Sequence, residues 1–153
     1  MEVRWLMATE VKEVMRPRPR KLEEVMKDYP KTYNFENLKV WQAAHALVLL
    51  IYRITRHFPE DEKYGLTSQF RRAAVSIEAN IAEGYKKLSK ADKLRFYNIS
   101  QGSLEECRDY HVLSRDLEYL IDDEFDQLHA SIEETSILLN AYCKAIAEDK
   151  RNR

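Results

Sequence analysis

The sequence predicts an all-α protein, an antiparallel up-down-up-down four-helix bundle with a loosely ordered or partly helical N-terminal extension. Apolar residues recur at steps of three and four in four successive segments, which is the period of an α-helix. The connections between these segments are short, as they are in antiparallel bundles. The 153 residues include only three glycines and four prolines, too few for a β-protein with many turns.

Residues 1–34 differ from the rest, so we predict an N-terminal extension at 1–34 and a bundle domain at 35–150. Alternating prolines in residues 16–21 remove hydrogen-bond donors and favour extended backbone. The extension has eight Lys/Arg and six Asp/Glu, a net charge of +2. A nucleic-acid-binding arm is the alternative to a loosely ordered leader, and translation from Met26 also stays open. A short helix is predicted before the prolines, with one face formed by Val3, Met7, Val11 and Val14.

The first core helix is predicted at residues 38–57 and is apolar around most of its circumference. Between residues 40 and 52 only Gln42 and His45 are plainly polar. Two neighbours in a four-helix bundle cover only part of a helix, so the surplus apolar face predicts a contact with another subunit. The predicted contact residues are Val40, Ala43, Leu47, Leu50 and Ile54.

The central helix, residues 66–84, is the one around which we expect the other helices to pack. Large apolar residues such as Phe70 and Ile77 occupy one face, and alanines and serines occupy the neighbouring positions. These small side chains let other helices approach closely. Gly84 is predicted to end the helix in a left-handed conformation.

The third helix is predicted to begin after a Ser89 cap and to end near Leu120, with three serines in its seam that permit tight packing on the central helix. The last helix is predicted at residues 123–148, where acidic residues at its start complement the positive end of the helix. The predicted packing seam of the third helix consists of Phe96, Ser100, Ser103, Cys107, Tyr110, Ser114, Leu117 and Ile121. The predicted seam of the last helix consists of Phe125, Leu128, Ile132, Thr135, Leu139, Tyr142 and Ile146.

The central helix also carries a family resemblance, which extends over roughly residues 35–146. The chain resembles the bacterial four-helix-bundle proteins that are often encoded by intervening sequences inside large-subunit ribosomal RNA genes. Matches to their signature are Gln69, Arg71, Arg72, Ala73, Ala74, Ser76, Ile77, Asn80, Ile81, Glu83 and Gly84, with flanking matches at Phe35, Trp41, Phe58, Pro59, Tyr64, Gly102, Ser103 and Glu106.

The resemblance implies a ring-shaped homopentamer of four-helix bundles, in a family with no settled activity. Accessory proteins of diversity-generating retroelements are similar in fold, which implies binding of RNA or a reverse transcriptase through a basic surface. This chain departs from that pattern because its formal net charge is −1. Such a charge gives no overall basic field.

The remaining bulk features predict a cytoplasmic protein without a membrane segment. The longest apolar run, residues 43–52, is about half a membrane span. Charges throughout residues 1–15 exclude a signal peptide. Cys107 and Cys143 lack a disulfide-framework spacing, which favours a reducing compartment.

Basic residues that follow the central helix form a candidate phosphate-binding patch. The alternative is a solvated surface with ion pairs such as Glu83–Lys87. Arg71 and Arg72 project about 100° apart, so at most one can join that patch. The alternative for these two arginines is pairing with Glu78 or with acids of a neighbouring subunit. No aromatic residues are interleaved with the patch. Its residues are Lys86, Lys87, Lys90, Lys93 and Arg95.

No catalytic, metal or cofactor site is predicted, and no small-molecule substrate is evident. Cys107 and His111 could supply two metal ligands, but no companion motif accompanies them. The pairs Arg53–His57 and Arg108–His111 lack the spacing of the Arg–His pairs in helical-bundle ribonucleases. The three glycines are isolated, so there is no phosphate loop.

The sequence therefore predicts a non-enzymatic oligomeric scaffold or adaptor. The alternative is an RNA- or reverse-transcriptase-binding accessory protein, and a helical-bundle ribonuclease is the third hypothesis.

Overall fold

The computed structural model describes residues 34–150, which form four α-helices. These are α1 (Lys39–Ile54), α2 (Leu66–Lys86), α3 (Lys90–Asp116) and α4 (Asp122–Glu148). Each helix packs against the next, and α4 closes the bundle against α1. No strand occurs within this range, so the predicted all-α four-helix bundle is confirmed. The leader, including the face of Val3 to Val14, lies outside the described residues.

The buried side of α1 corrects one prediction. Helix α1 lies between α2 and α4, and both of its apolar stripes belong to the core. The surplus apolar face therefore does not exist at four of the five predicted subunit-contact positions, because the single chain already covers them. A predicted oligomer needs a different surface. The covered residues are Val40, Ala43, Leu47 and Ile54, and Leu50 is half-buried against the same core.

Gly84 does not end α2, which continues to Lys86. None of the glycines in residues 34–150 has a positive φ, so the predicted left-handed cap is wrong. Gly84 is buried against α3, where an added Cβ would lie 2.7 Å from Cε1 of Tyr97 and 3.1 Å from Cβ of Phe96. The glycine is therefore required by the close approach of two helices.

Serine hydroxyls bridge α2 and α3, where the sequence predicts tight packing. Ser100 donates to the carbonyl oxygen of Ile77 at 2.9 Å, and Ser103 donates to Oγ of Ser76 at 2.8 Å. Asn80 donates its amide to the Ser76 carbonyl oxygen at 2.8 Å. Each of these hydroxyl and amide groups thus has a partner, which offsets the penalty of burying it.

The predicted α3 seam is partly wrong. Tyr97 is buried instead of Phe96, which was predicted to begin the seam, and Leu104 is also buried. Leu117 and Ile121 are exposed, because α3 ends at Asp116. The predicted seam of α4 agrees better, with Leu128, Ile132, Thr135 and Leu139 buried. The Ser89 cap is confirmed, because its Oγ accepts the Asp92 N–H at 3.1 Å.

None of the helices in the described range is both long enough and apolar enough to span a bilayer. The cytoplasmic location stays a prediction.

Two glycine substitutions test the close approach of α2 and α3. Gly84→Ala gains helix propensity but forces a Cβ into Tyr97, so we expect a net destabilisation of about 1 kcal/mol. Gly102→Ala is the matched control in α3, because a Cβ there meets nothing within 4 Å. It should stabilise the fold by about 0.5–1 kcal/mol. Denaturant unfolding measures both, and a stabilised Gly84→Ala variant would contradict the packing argument.

Candidate anion-binding groove

The seven predicted basic residues fall into two groups along α2. Arg71 and Arg72 lie in its N-terminal half, whereas the cluster from Lys86 to Arg95 lies at its connection to α3. Residues 71 and 86 are about 22 Å apart along the helix axis. The two groups therefore cannot share one small-ligand site.

Two lysines of the connection cluster bind main-chain carbonyls. Lys93 Nζ donates to the carbonyl oxygens of Gly84 at 3.3 Å and Tyr85 at 2.7 Å. Lys90 Nζ donates to the Ala147 carbonyl oxygen at 3.0 Å. Burial lowers the pKa of Lys93. These lysines complete the C-terminal ends of α2 and α4, where unpaired carbonyls gather.

The rest of the cluster is also partly engaged. Lys87 pairs with Glu83 at 3.6 Å, which confirms the predicted ion pair. Lys87 and Arg95 lie over the ring of Phe96, at 4.7 and 5.2 Å from its centroid. Lys86 is exposed. The connection cluster thus serves local structure more than it offers free cations.

Arg71 and Arg72 both line an open groove between α1, the turn before α2 and the first half of α2. We call it the arginine groove; it encloses about 660 Å³, within the range of small-molecule sites. Three of its residues are cations, two are tyrosines, and none is an acid. Its lining consists of Tyr52, Lys63, Tyr64, Thr67, Ser68, Arg71, Arg72, Val75 and Ser76.

Arg71 is held from two directions. Its Nε donates to Oγ1 of Thr55 at 2.8 Å, and its guanidinium lies 4.7 Å from the ring centroid of Tyr52. Thr55 in turn donates its hydroxyl to the Ile51 carbonyl oxygen at 2.7 Å. Helix α1 therefore fixes the side chain of an arginine that belongs to α2.

The alternative of an Arg71–Glu78 ion pair is wrong, because Glu78 faces a different partner. Its Oε2 lies 2.8 Å from Nδ1 of His45, whose ring stacks on Trp41. The second contact, Tyr52 with Arg71, lies seven residues later on α1 than the contact of His45 with Glu78. On α2 it lies seven residues earlier. This is the register of two antiparallel helices.

The other cations of the groove are exposed. Arg72 has no ion pair or hydrogen bond within residues 34–150. Lys63 pairs with Glu60 at 3.7 Å and lies 5.7 Å from the ring centroid of Tyr64. Tyr64 is 88% exposed. Neither tyrosine was predicted as a site residue. Only the register of α1 against α2 places Tyr52 beside Arg71, and Tyr64 lines the groove from the turn before α2.

The arginines of the two Arg–His pairs considered for ribonuclease activity make structural contacts. Arg53 donates to Oε1 of Gln127 at 2.8 Å. Arg108 pairs with Glu105 at 3.2 Å and also with Glu133, and its hydrogen bond lowers the pKa of Glu133. His57 is exposed. Both arginines thus connect neighbouring helices.

The candidate metal ligands are buried in the core. Cys107 is fully covered, and burial raises the pKa of its thiol to about 12. His111 is 2% exposed and donates from Nε2 to the Phe125 carbonyl oxygen at 3.0 Å. Within the part of the chain that the structure describes, no three His, Cys, Asp or Glu side chains could hold a metal ion.

The buried His111 should make stability depend on pH. Burial lowers its pKa from the usual 6.5, although the hydrogen bond to Phe125 opposes this shift. The unfolded chain therefore binds the proton more readily, and stability is lost as the pH falls below about 6.5. The free energy of unfolding should fall less between pH 8 and 5 in His111→Asn than in the wild type. The exposed His57→Asn is the control, because the ring of His129 stacks on His111 at 6.0 Å and cannot serve as one. Equal slopes in all three proteins would contradict the prediction.

Comparisons with known proteins agree with this fold. The family model of the 23S rRNA-intervening sequence protein matches residues 36–141. A crystal structure of a protein of unknown function, from the S23 ribosomal protein family of Bacteroides thetaiotaomicron VPI-5482, is similar with a TM-score of 0.64 and 23% identity, covering 69% of this chain and 98% of that chain. At this identity the likeness shows the fold alone. No curated protein sequence matches the chain. Because the family model matches more than half of its length, the chain belongs to the family of 23S rRNA-intervening sequence proteins.

Proposed function

We propose that this protein is a non-enzymatic adaptor that works as a homo-oligomer, and that its binding face is the outer side of α2. The observation that carries the proposal is the incomplete burial of apolar side chains on α1, α2 and α3, which we infer to form one apolar band. Val75 on α2 is 37% exposed, Leu49 on α1 is 39% exposed and Ile99 on α3 is 45% exposed. An apolar band of this kind is typical of a surface that contacts another protein.

The neighbouring side chains on α2 favour close contact. Ala79 is exposed and Ala82 is half-buried, so a partner helix can approach the backbone. The hydrogen bonds of Ser100 and Ser103 to α2 hold the Ile99 edge of α3 beside this surface. A rigid face with small side chains loses little conformational entropy when a partner covers it. The pentamer implied by the family resemblance is the assembly that we propose.

A matched pair of substitutions tests the oligomer. Light scattering of the wild type should give a mass several times that of one chain. Ile99→Glu should reduce that mass toward a single chain, because the band cannot bury a carboxylate. Ile137→Glu on α4 is the control, since Ile137 is 67% exposed and lies outside the band. It should keep the wild-type mass.

Circular dichroism should show the same helix content in all three proteins, which separates dissociation from unfolding. A wild type that remains a single chain at all concentrations would contradict the proposal. So would an Ile99→Glu protein with the full oligomeric mass.

The alternative, an RNA- or reverse-transcriptase-binding accessory protein, is favoured by the arginine groove. Single-stranded RNA sites combine cations that follow the phosphates with exposed aromatic rings. Under this alternative the affinity for a single-stranded RNA falls steeply as salt rises. Arg72→Glu should weaken binding more than Lys86→Glu combined with Arg95→Glu, because Arg72 has no competing partner within the described residues.

Lys144→Glu on α4 is the matched control for the RNA experiment, since Lys144 is exposed and lies outside the groove. RNA affinity that is independent of salt, or that Lys144→Glu reduces as much as Arg72→Glu does, would contradict the alternative. The ribonuclease hypothesis has less support, because Arg53 and Arg108 are held by Gln127 and Glu133. It requires RNA cleavage that His57→Ala abolishes.

A further inference from the structure

We propose that the arginine groove is a binding site for a nucleoside phosphate, a ligand that joins a phosphate to an aromatic base. The groove shares Val75 with the proposed oligomer face, so the inference requires that the contact between subunits leaves Tyr64, Arg71 and Arg72 open to a ligand. Neither the family nor the similar structure assigns one. Three features of the groove carry it: a prepositioned arginine, an excess of positive charge and an exposed aromatic ring.

Arg71 is the prepositioned arginine. Its Nε is taken by Thr55, and one face of its guanidinium lies over Tyr52. Within the described residues its two terminal Nη atoms have no hydrogen-bond partner, and they are the donors that form a parallel pair of bonds to a phosphate. Because α1 already orders this side chain, ligand binding does not cost the rotamer entropy of an arginine.

The charge around Arg71 favours an anion. Arg72 and Lys63 also line the groove, whereas no Asp or Glu does. Residues 60–62, just before Lys63, are all acidic. Glu60 pairs with Lys63 at 3.7 Å, and Glu62 accepts the Leu66 N–H at 2.8 Å and the Tyr119 hydroxyl at 3.2 Å. The positive charge of the groove that no ion pair balances within the described residues is therefore that of Arg71 and Arg72. The hydroxyls of Thr67 and Ser68, in the first turn of α2, add neutral donors at the positive end of a helix.

Tyr64 supplies the aromatic surface. Its ring is 88% exposed, and a base can stack on it at little cost in desolvation. The ring of Tyr52 is less suitable because Arg71 covers one of its faces. Tyr64 and Arg71 line the same groove, so one nucleotide can reach both the ring and the phosphate donors. An acidic peptide would leave Tyr64 unused.

Calorimetric titration of the full chain tests this with four probes: adenosine monophosphate, adenosine, inorganic phosphate and a polyglutamate peptide. We expect adenosine monophosphate to bind at least about tenfold more tightly than any other probe, a difference of about 1.4 kcal/mol. Adenosine monophosphate that binds no better than inorganic phosphate would overturn the inference. So would equal binding of polyglutamate.

Two substitutions test which side chain binds the base and which binds the phosphate. Tyr64→Ala should lower the affinity for adenosine monophosphate to that for inorganic phosphate, without changing the phosphate affinity. Arg71→Lys keeps the charge but loses the paired donors, so binding of both phosphate-bearing probes should weaken about tenfold. Arg95→Lys is the matched control outside the groove and should bind as the wild type does. Because Tyr64 is so exposed, its variant tests the site even if Arg71→Lys folds poorly.

A short single-stranded RNA distinguishes the two sources of the same chemistry. Competition between this RNA and adenosine monophosphate, lost in Tyr64→Ala, identifies a nucleotide within a strand. Nucleotide binding without competition identifies the free nucleotide. Light scattering of the same samples separates the two proposals: a single chain that binds the nucleotide refutes only the oligomer, and an oligomer that does not bind it refutes only this site.

Discussion

The close approach of α2 and α3 is the constraint on which the rest of the structure depends. It requires Gly84 opposite Tyr97 and small hydroxyl side chains at positions 76, 100 and 103. Each buried hydrogen bond contributes only about 1 kcal/mol, but together they fix the register of the two helices. A one-turn slip would leave these hydroxyls without partners inside the core, which costs more than the bonds contribute.

This constraint also decides which surface of α2 is left for function. One side of α2 contacts α3 and another contacts α1. What remains exposed is a row that runs from Gln69 through Arg72, Val75 and Ala79 to Glu83, with Arg71 half-buried beside it. Tyr52 of α1 and Thr55, the residue that caps the end of α1, hold Arg71 in place. The same packing that stabilises the bundle therefore positions the side chains that we propose to bind an anion.

Features that depend on one helix alone could be predicted from the sequence. The α4 seam, the Ser89 cap and the Glu83–Lys87 pair follow from spacing within a segment. The role of Gly84 could not be predicted in this way. A glycine that ends a helix and one that makes room for a neighbouring ring look the same in sequence.

Features that depend on the register between helices also could not be predicted from the sequence. The contact of Tyr52 with Arg71 and the bonds of Lys90 and Lys93 to distant carbonyls are of this kind. The misread apolar face of α1 has the same origin, since only the arrangement of α2 and α4 shows how much of that helix they cover.

Hydrogen exchange of the native protein, resolved by residue, tests the central claim most directly. If the α2–α3 contact is the core constraint, the slowest-exchanging amides should lie in residues 70–81 of α2 and 97–107 of α3, at rates set by global unfolding. Slowest exchange in α1 and α4, with α2 opening as readily as the C-terminal turns of α4, would contradict this account.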